Sequence, residues 1–298
     1  MERIQSYIKE NAKWVHETLD QYTLNLDGVP ETLLESMRYS LLAGGKRLRP
    51  VLALATTEAC GEEKEKALPF ACAIEMIHTY SLIHDDLPSM DNDDYRRGKL
   101  TNHKVFGEAQ AILAGDALLT EAFGLMASGA KQAKLSAETA LTIIEEGVRS
   151  SGARGMVGGQ VIDLLSENRP ISLVELEKIH QHKTSDLIAF SVRTGALLSG
   201  VSRETLQALT RFAYGLGLAF QIQDDILDVI GDQELIGKPV GSDEEKHKAT
   251  YPSLLGLDES RKKLAEITEQ AKAELLDSDV VNPEYLLGIA DYLLSRDR

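Results

Sequence analysis

The chain has 298 residues, with 47 acidic against 32 basic and a formal charge of -15. Its 43% hydrophobic and 27% charged residues give an ordinary globular balance, which excludes a disordered chain. The negative charge excludes nucleic acid as a general partner, and any phosphate-bearing substrate must meet a local group of cations or a divalent metal.

In chain order, MERIQSYIKENAKWVHETL is charged throughout, so no signal peptide is expected. No run is expected to supply the ~20 apolar residues of a membrane span. ETLLESMRYSLLAGG sets Leu33, Leu34, Met37, Leu41 and Leu42 at helical spacing and stops at Gly44-Gly45. A second helix is predicted from Leu48 through Ala59, before Gly61. EKALPFACAIEMIHTYSLIHDD is apolar on most sides, as a helix inside a large bundle would be. Helical patterns continue through AQAILAGDALLTEAFGLM and AETALTIIEEGVRSSGARGMVGGQVIDLLSE, then over Ser172–Ser199, Arg203–Ile230 and Ser260–Leu276. A last helix follows Pro283 and ends near Leu294. Strand patterns are nearly absent. No linker or composition shift divides the chain, so the expectation is one all-α domain over residues 1–298, a large single helical bundle. Cys60 and Cys72 make neither a disulfide framework nor a thiolate metal site, and a reducing, cytoplasmic setting is expected.

Two segments echo one another. LIHDDLPSMD and FQIQDDILD each end an apolar helical run on an aspartate pair, 139 residues apart, so two such helices could face each other across a bundle interior. Asp224 and Asp228 are four residues apart and share a helix face, where like charges destabilise unless a cation sits between them. Hard oxygen ligands at this spacing suit Mg2+, which uses one or two carboxylates and completes its shell with water and phosphate. Asp85 and Asp91 are six apart, about 120° round an unbroken helix, so they converge only if the helix ends there; Pro88 makes that interruption plausible. Basic residues stand nearby in sequence: Lys46, Arg47 and Arg49 in GGKRLRP, Arg96 and Arg97 in YRRGK, Lys183 beside Thr184 in HKTSD, and Lys238 in IGKPVGSD. Arginine clamps phosphate oxygens in bidentate fashion and lysine acts as a mobile point charge. AGGKRLRP is not a Walker phosphate loop, and GLGLAF lies inside a helical run rather than after a strand.

These blocks, from GGKRLRP through EMIHTYSLIHDDLPSMDNDDYRRGK, GMVGGQVIDL, HKTSDLI and FQIQDDILDVIGD to GKPVGSDEEKHKATYP, resemble the short-chain trans-isoprenyl diphosphate (polyprenyl) synthase family in its bacterial farnesyl type. The resemblance spans residues 44–252. It implies the isoprenoid synthase fold, with a cavity between two aspartate-bearing helices, and a homodimer. It implies that Asp85, Asp91 and Asp224 bind three Mg2+ ions bridging an allylic diphosphate, with Asp86, Asp225 and Asp228 in support. Arg96, Lys183, Thr184, Gln221, Lys238 and Lys248 would hold that allylic substrate, and Lys46, Arg49, His78 and Arg97 the diphosphate of isopentenyl diphosphate. Lys183 also belongs to the implied catalytic set. The implied reaction is ionisation, condensation and proton loss, with released diphosphate as the base.

The apolar run before Asp85 would act as a ruler. Tyr80 lies roughly 7.5 Å along the helix below Asp85, while Ser81 lies nearly under it by angle, so bare helical geometry does not say which meets the growing tail. In the family, an aromatic five residues before the first aspartate marks the farnesyl type. A geranylgeranyl diphosphate synthase would share the chemistry but favour a small residue at position 80. A non-catalytic partner subunit could lose the aspartates or basics that this chain keeps, and a terpene cyclase needs no isopentenyl diphosphate site.

Overall fold

The computed structural model describes residues 1–230 and 249–294. Helix α1 (Glu2–Leu24) was not expected from periodicity; its buried stripe of Tyr7, Ile8, Asn11, Val15, Leu19 and Thr23 mixes apolar with polar residues. Helices α2 (Glu31–Leu41) and α3 (Leu48–Ala59) fall where the pattern puts them. A short 3-10 turn leads into α4 (Leu68–Asp85), which is buried nearly all round, in keeping with its continuous apolar sequence. Complete burial of a side chain such as Ile74, Met76 or Ile77 stabilises the fold by about 1.5–3 kcal/mol. Cys72 is buried within α4 and Cys60 half-buried at the end of α3, both as free thiols.

A two-residue antiparallel hairpin, β1 (Tyr95–Arg96) and β2 (Lys99–Leu100), follows the first aspartate cluster. Its turn is Arg97-Gly98, both at positive φ, the geometry whose twist matches a tight hairpin. After α5 (Asn102–Phe106) comes α6 (Glu108–Gln132). Contrary to the expectation from sequence, α6 is long and apolar enough by length and composition to cross a membrane. In the fold it lies along α4, with Ala111, Ala114, Leu118, Ala122 and Met126 in the same core.

The run predicted as one helical stretch over 137–167 divides into α7 (Ala137–Ser151) and α8 (Met156–Ser166), broken at Ser-Gly-Ala-Arg-Gly. Likewise Ser172–Ser199 forms α9 (Leu173–His180), one π-helical turn (Gln181–Ser185) and α10 (Asp186–Leu198). A capping box between Ser172 and Glu175 starts α9. Helix α11 (Arg203–Ile230) carries the second cluster unbroken. The chain closes with α12 (Tyr251–Leu255), α13 (Leu257–Leu276) and α14 (Glu284–Leu294). One core joins α4 to α1, α2 and α6; a second joins α3, α10, α11, α13 and α14; a third lies beneath α9, α11 and α12. The carboxyl ends of α4 and α11 meet the amino end of α3 and the π turn, and the candidate site lies there.

Candidate active site

The first cluster converges because its helix stops. Helix α4 ends at Asp85, and the Asp91 amide donates to the Asp85 carbonyl at 2.8 Å, folding the six-residue separation back on itself. Met90 and Asn92 both donate to the Leu87 carbonyl, a tight turn across Pro88. Asp85 lines a cavity of about 500 Å3. Burial pushes its carboxyl above the usual carboxylate range; the Lys183 ammonium pulls it down and Asp91 pushes it up.

Asp86 takes a different part. It is 3% exposed and accepts from Arg96, whose Nε lies 2.7 and 2.8 Å from its two oxygens and whose Nη2 lies 2.6 Å from one of them. Removing one partner of such a buried pair costs about 3–5 kcal/mol. Arg96 also reaches Asp93 at 3.7 Å. The neighbouring Arg97 donates to the Gly44 carbonyl, and its guanidinium fills the space where a side chain on Gly45 would begin. Gly45, at φ 111°, therefore serves both the turn and this approach.

The GGKRLRP basics separate by role. Arg47 turns inward in a left-handed backbone conformation and pairs with Glu75 of α4, both side chains 1% exposed. Lys46 stays exposed. Arg49 lines the cavity with His78, its Nη1 3.2 Å from His78 Nε2. A guanidinium has no lone pair to offer, so His78 Nε2 accepts and the ring is neutral. Burial, with Arg49, Arg97, Arg96 and Arg47 adding to it, holds His78 well below the ordinary imidazole pKa. The Arg49 Nε is buried without a protein partner, a donor suited to an anion.

The π turn brings the remaining residues in. Gly159 of α8 and Gly217 of α11 leave no room for a Cβ against Lys183 and Ser185 respectively, so the turn is wedged between two helices at backbone distance. Lys183 and Thr184 thereby line the cavity. The Lys183 Nζ lies 2.6 Å from Asp163 Oδ2 on α8. Thr184 Oγ1 donates to Gln221 Oε1 at 2.9 Å. Single π turns inside helices frequently mark functional sites.

The second cluster stays on a continuous helix, so Asp224 and Asp228 keep their shared, partly exposed face. Asp224 acts electrostatically on Arg49, which ties the end of α11 to the cavity wall. Asp225 is 4% exposed and points the other way, accepting from the Tyr251 amide at 2.9 Å with His180 Nε2 at 3.3 Å. Lys238 and Lys248 lie outside the described residues.

Below Asp85 the cavity is apolar. Tyr80 and Ser81 both line it, with Ile112, Met156, Val157, Val161 and Leu164. The Ser81 hydroxyl is turned back to the His78 carbonyl at 2.9 Å, whereas the Tyr80 hydroxyl is buried without a partner. Tyr80 meets His84 edge-on at 5.7 Å between rings. Burial pushes the Tyr80 phenol up to about 12, so it is neutral at physiological pH. Sequence reasoning did not single out Asp163 or Glu75, which hold Lys183 and Arg47. Neither partner pair has a recognisable spacing, and only the third dimension joins them.

The donor set fits magnesium. Among the described residues no three acidic, histidine or cysteine side chains converge closely enough to hold a metal by themselves. Magnesium requires only one or two carboxylates and takes its other ligands from water and substrate phosphate. Asp85, beside Asp91, is raised by burial despite Lys183 and Arg96, which leaves that end short of positive charge. An ion arriving with a diphosphate would supply it.

Comparison with known proteins agrees. A family model described as polyprenyl synthetase matches residues 30–281. The chain is 48% identical over 295 residues to a farnesyl diphosphate synthase of Bacillus subtilis (strain 168), covering 99% of both. It is 46% identical to a geranylgeranyl diphosphate synthase of Cyanophora paradoxa, over 98% of this chain and 96% of that one. The crystal structure of an FPP/GFPP synthase from Zymomonas mobilis superposes with TM-score 0.83 at 37% identity, covering 98% of this chain and 100% of the other. Fold, motifs and relatives converge: the chain belongs to the polyprenyl synthetase family, with its isoprenoid synthase fold and magnesium-dependent chemistry, and within it to the bacterial farnesyl diphosphate synthase type.

Proposed function

We infer that this chain is a farnesyl diphosphate synthase, condensing isopentenyl diphosphate with dimethylallyl and then geranyl diphosphate to give (2E,6E)-farnesyl diphosphate and diphosphate. The observation that carries the reading is a single cavity with Asp85 and Lys183 at one end, Arg49 and His78 beside them, and Tyr80 in the apolar wall below. Bound Mg2+, three ions by the family pattern, would be held by Asp85, Asp91 and Asp224 and would supply Lewis acidity at the leaving diphosphate. Lys183, Thr184 and Gln221, with Arg96, Lys238 and Lys248, hold the allylic diphosphate. Lys46, Arg49, His78 and Arg97 hold that of isopentenyl diphosphate, the neutral His78 donating through the nitrogen that Arg49 leaves free.

The allylic carbon–oxygen bond breaks with both electrons leaving on diphosphate. The isopentenyl double bond then attacks the allylic cation, and a proton passes to the released diphosphate. Dipoles of Thr184 and Gln221 stabilise the positive charge. The apolar wall excludes water, which would otherwise quench the cation. Tyr80 sets the length: its buried ring stands in the path of a longer tail, the feature that favours farnesyl over the geranylgeranyl product of the Cyanophora relative.

We read residues 1–298 as one domain, acting as a homodimer in the cytoplasm. Exposed Ile112, Leu113, Val157 and Val161 on α6 and α8 support a second copy covering that side of the cavity, and the two free cysteines support a reducing compartment. Incubation with Mg2+, isopentenyl diphosphate and dimethylallyl diphosphate, followed by mass spectrometry, tests the function. The expected product is a fifteen-carbon diphosphate, lengthened in Tyr80→Ala. A dominant twenty-carbon product from the unaltered chain would assign it to the geranylgeranyl type, and cyclic hydrocarbon without isopentenyl diphosphate would assign it to the cyclases.

A further inference from the structure

We propose that His180 is a positioning residue for the second aspartate cluster: with the Tyr251 amide it clamps Asp225 from behind, fixing the rotation of α11 that presents Asp224 and Asp228 to the magnesium–diphosphate. The proposal rests on the reading of that cluster given above. In DDILD the middle aspartate is buried at 4% exposure while its neighbours Asp224 and Asp228 remain partly open.

A carboxylate placed there needs donors, since leaving one unsatisfied in a low-dielectric interior costs more than its hydrogen bonds return. The structure supplies three from three separate elements. Oδ2 accepts from the Tyr251 amide at 2.9 Å and faces His180 Nε2 at 3.3 Å, while Oδ1 faces the Gln221 amide at 3.5 Å. Opposite a carboxylate, His180 Nε2 must carry the hydrogen.

The clamp is itself held. His180 is 7% exposed, and its ring lies nearly parallel to that of Tyr251, 13° apart with centroids 5.9 Å apart. The Tyr251 hydroxyl donates to Glu177 Oε1 at 2.9 Å, one turn before His180 on α9. Helices α9, α11 and α12 are therefore locked together through one carboxylate. A second branch leads forward: Gln221, one turn before Asp225, accepts from Thr184, which lines the cavity. His180 closes α9 immediately before the π turn that carries Lys183 and Thr184, so the same residue anchors both walls of the allylic site. A metal-binding carboxylate depends on such supporting contacts for its aim, and their loss typically costs 10–100-fold in metal affinity or activity.

Three variants separate positioning from packing. His180→Phe keeps the ring against Tyr251 and removes the donor. His180→Gln places an amide nitrogen near the position of Nε2. His180→Asn, whose amide is too short to reach Asp225, is a second variant that takes the donor from that carboxylate should His180→Phe not fold. Two readouts are taken: the rise in melting temperature produced by Mg2+ with inorganic diphosphate, and kcat and KM for the allylic substrate across a Mg2+ titration. Wild type is expected to be stabilised by Mg2+ with diphosphate. His180→Phe should need about tenfold more Mg2+ and raise the allylic KM by a similar factor, with kcat less affected. His180→Gln should recover most of both. If His180→Phe responds to Mg2+ and diphosphate as wild type does, the proposal is overturned. Failure of His180→Gln to recover either readout also overturns it, leaving the ring a packing residue. If wild type itself shows no Mg2+-dependent stabilisation by diphosphate, the underlying reading of the cluster fails, and the proposal with it.

Discussion

The two aspartate clusters share their letters and solve the same problem with different architecture. At the end of α4 the helix stops, and the chain doubles back so that the Asp91 amide meets the Asp85 carbonyl. At the end of α11 the helix continues to Ile230, and the i, i+4 spacing alone sets Asp224 and Asp228 side by side. In each cluster the middle aspartate is buried and held by donors of the protein. Asp86 meets a guanidinium, whereas Asp225 meets a backbone amide, the His180 ring and the Gln221 side-chain amide. On the proposed function the outer aspartates serve the ligand and the middle ones serve the protein, so substitution should separate the two classes.

The largest effect falls on the outer pair. Asp85→Asn or Asp224→Asn should lower kcat/KM on the order of 10^3-fold, since several kcal/mol of leaving-group stabilisation goes with the metal. Circular dichroism and the unliganded melting temperature should change little. A variant that keeps wild-type kcat/KM would break the division. Asp86→Ala should do the reverse in kind, removing about 3–5 kcal/mol of stability by leaving Arg96 buried without its partner; urea unfolding measures it. Loss of activity without loss of stability at Asp86 would move it into the ligand-facing class.

A smaller effect is expected at Asp163, which holds Lys183 across the cavity from the first cluster. Asp163→Ala should raise the allylic KM about tenfold, the worth of one charge-assisted hydrogen bond, as read from initial rates at saturating isopentenyl diphosphate. An unchanged KM would show that the π turn alone aims Lys183. The smallest effect is a pH dependence at His78. Because its folded pKa is depressed, the unfolded chain takes up that proton first as pH falls, and stability drops as pH descends through about 6.5. Urea midpoints at pH 7.5 and 5.5 should lie closer together in His78→Gln than in wild type.

The sequence made part of this arrangement legible, for physical reasons that vary along the chain. Helices α3 and α11 match their predicted ranges because apolar periodicity and flanking breaks agree. The convergence of Asp85 and Asp91 was conditional on a helix end at Pro88, and the structure supplies it. Helix α1 is not legible in the periodicity because Asn11 and Thr23, satisfied by carbonyls of their own helix, sit in its buried stripe and blur the period. The division of residues 137–167 was hidden because Gly152 and Gly155 stand in a stretch whose flanks are equally helical. The burial of Asp225 is invisible in the sequence: two of its donors lie 45 and 26 residues away, on α9 and α12, and Gly217 lets the π turn that follows α9 pack at backbone distance against α11. Spacing identified the carboxylates, but not which way each one faces.

The central claim is that two clusters, built differently, hold one diphosphate between them. Isothermal titration of inorganic diphosphate into wild type, Asp85→Asn and Asp224→Asn, each with and without Mg2+, tests it most directly. The account predicts Mg2+-dependent binding in wild type that is lost on substitution at either cluster. Undiminished Mg2+-dependent binding in either variant would contradict it, because one cluster would then suffice.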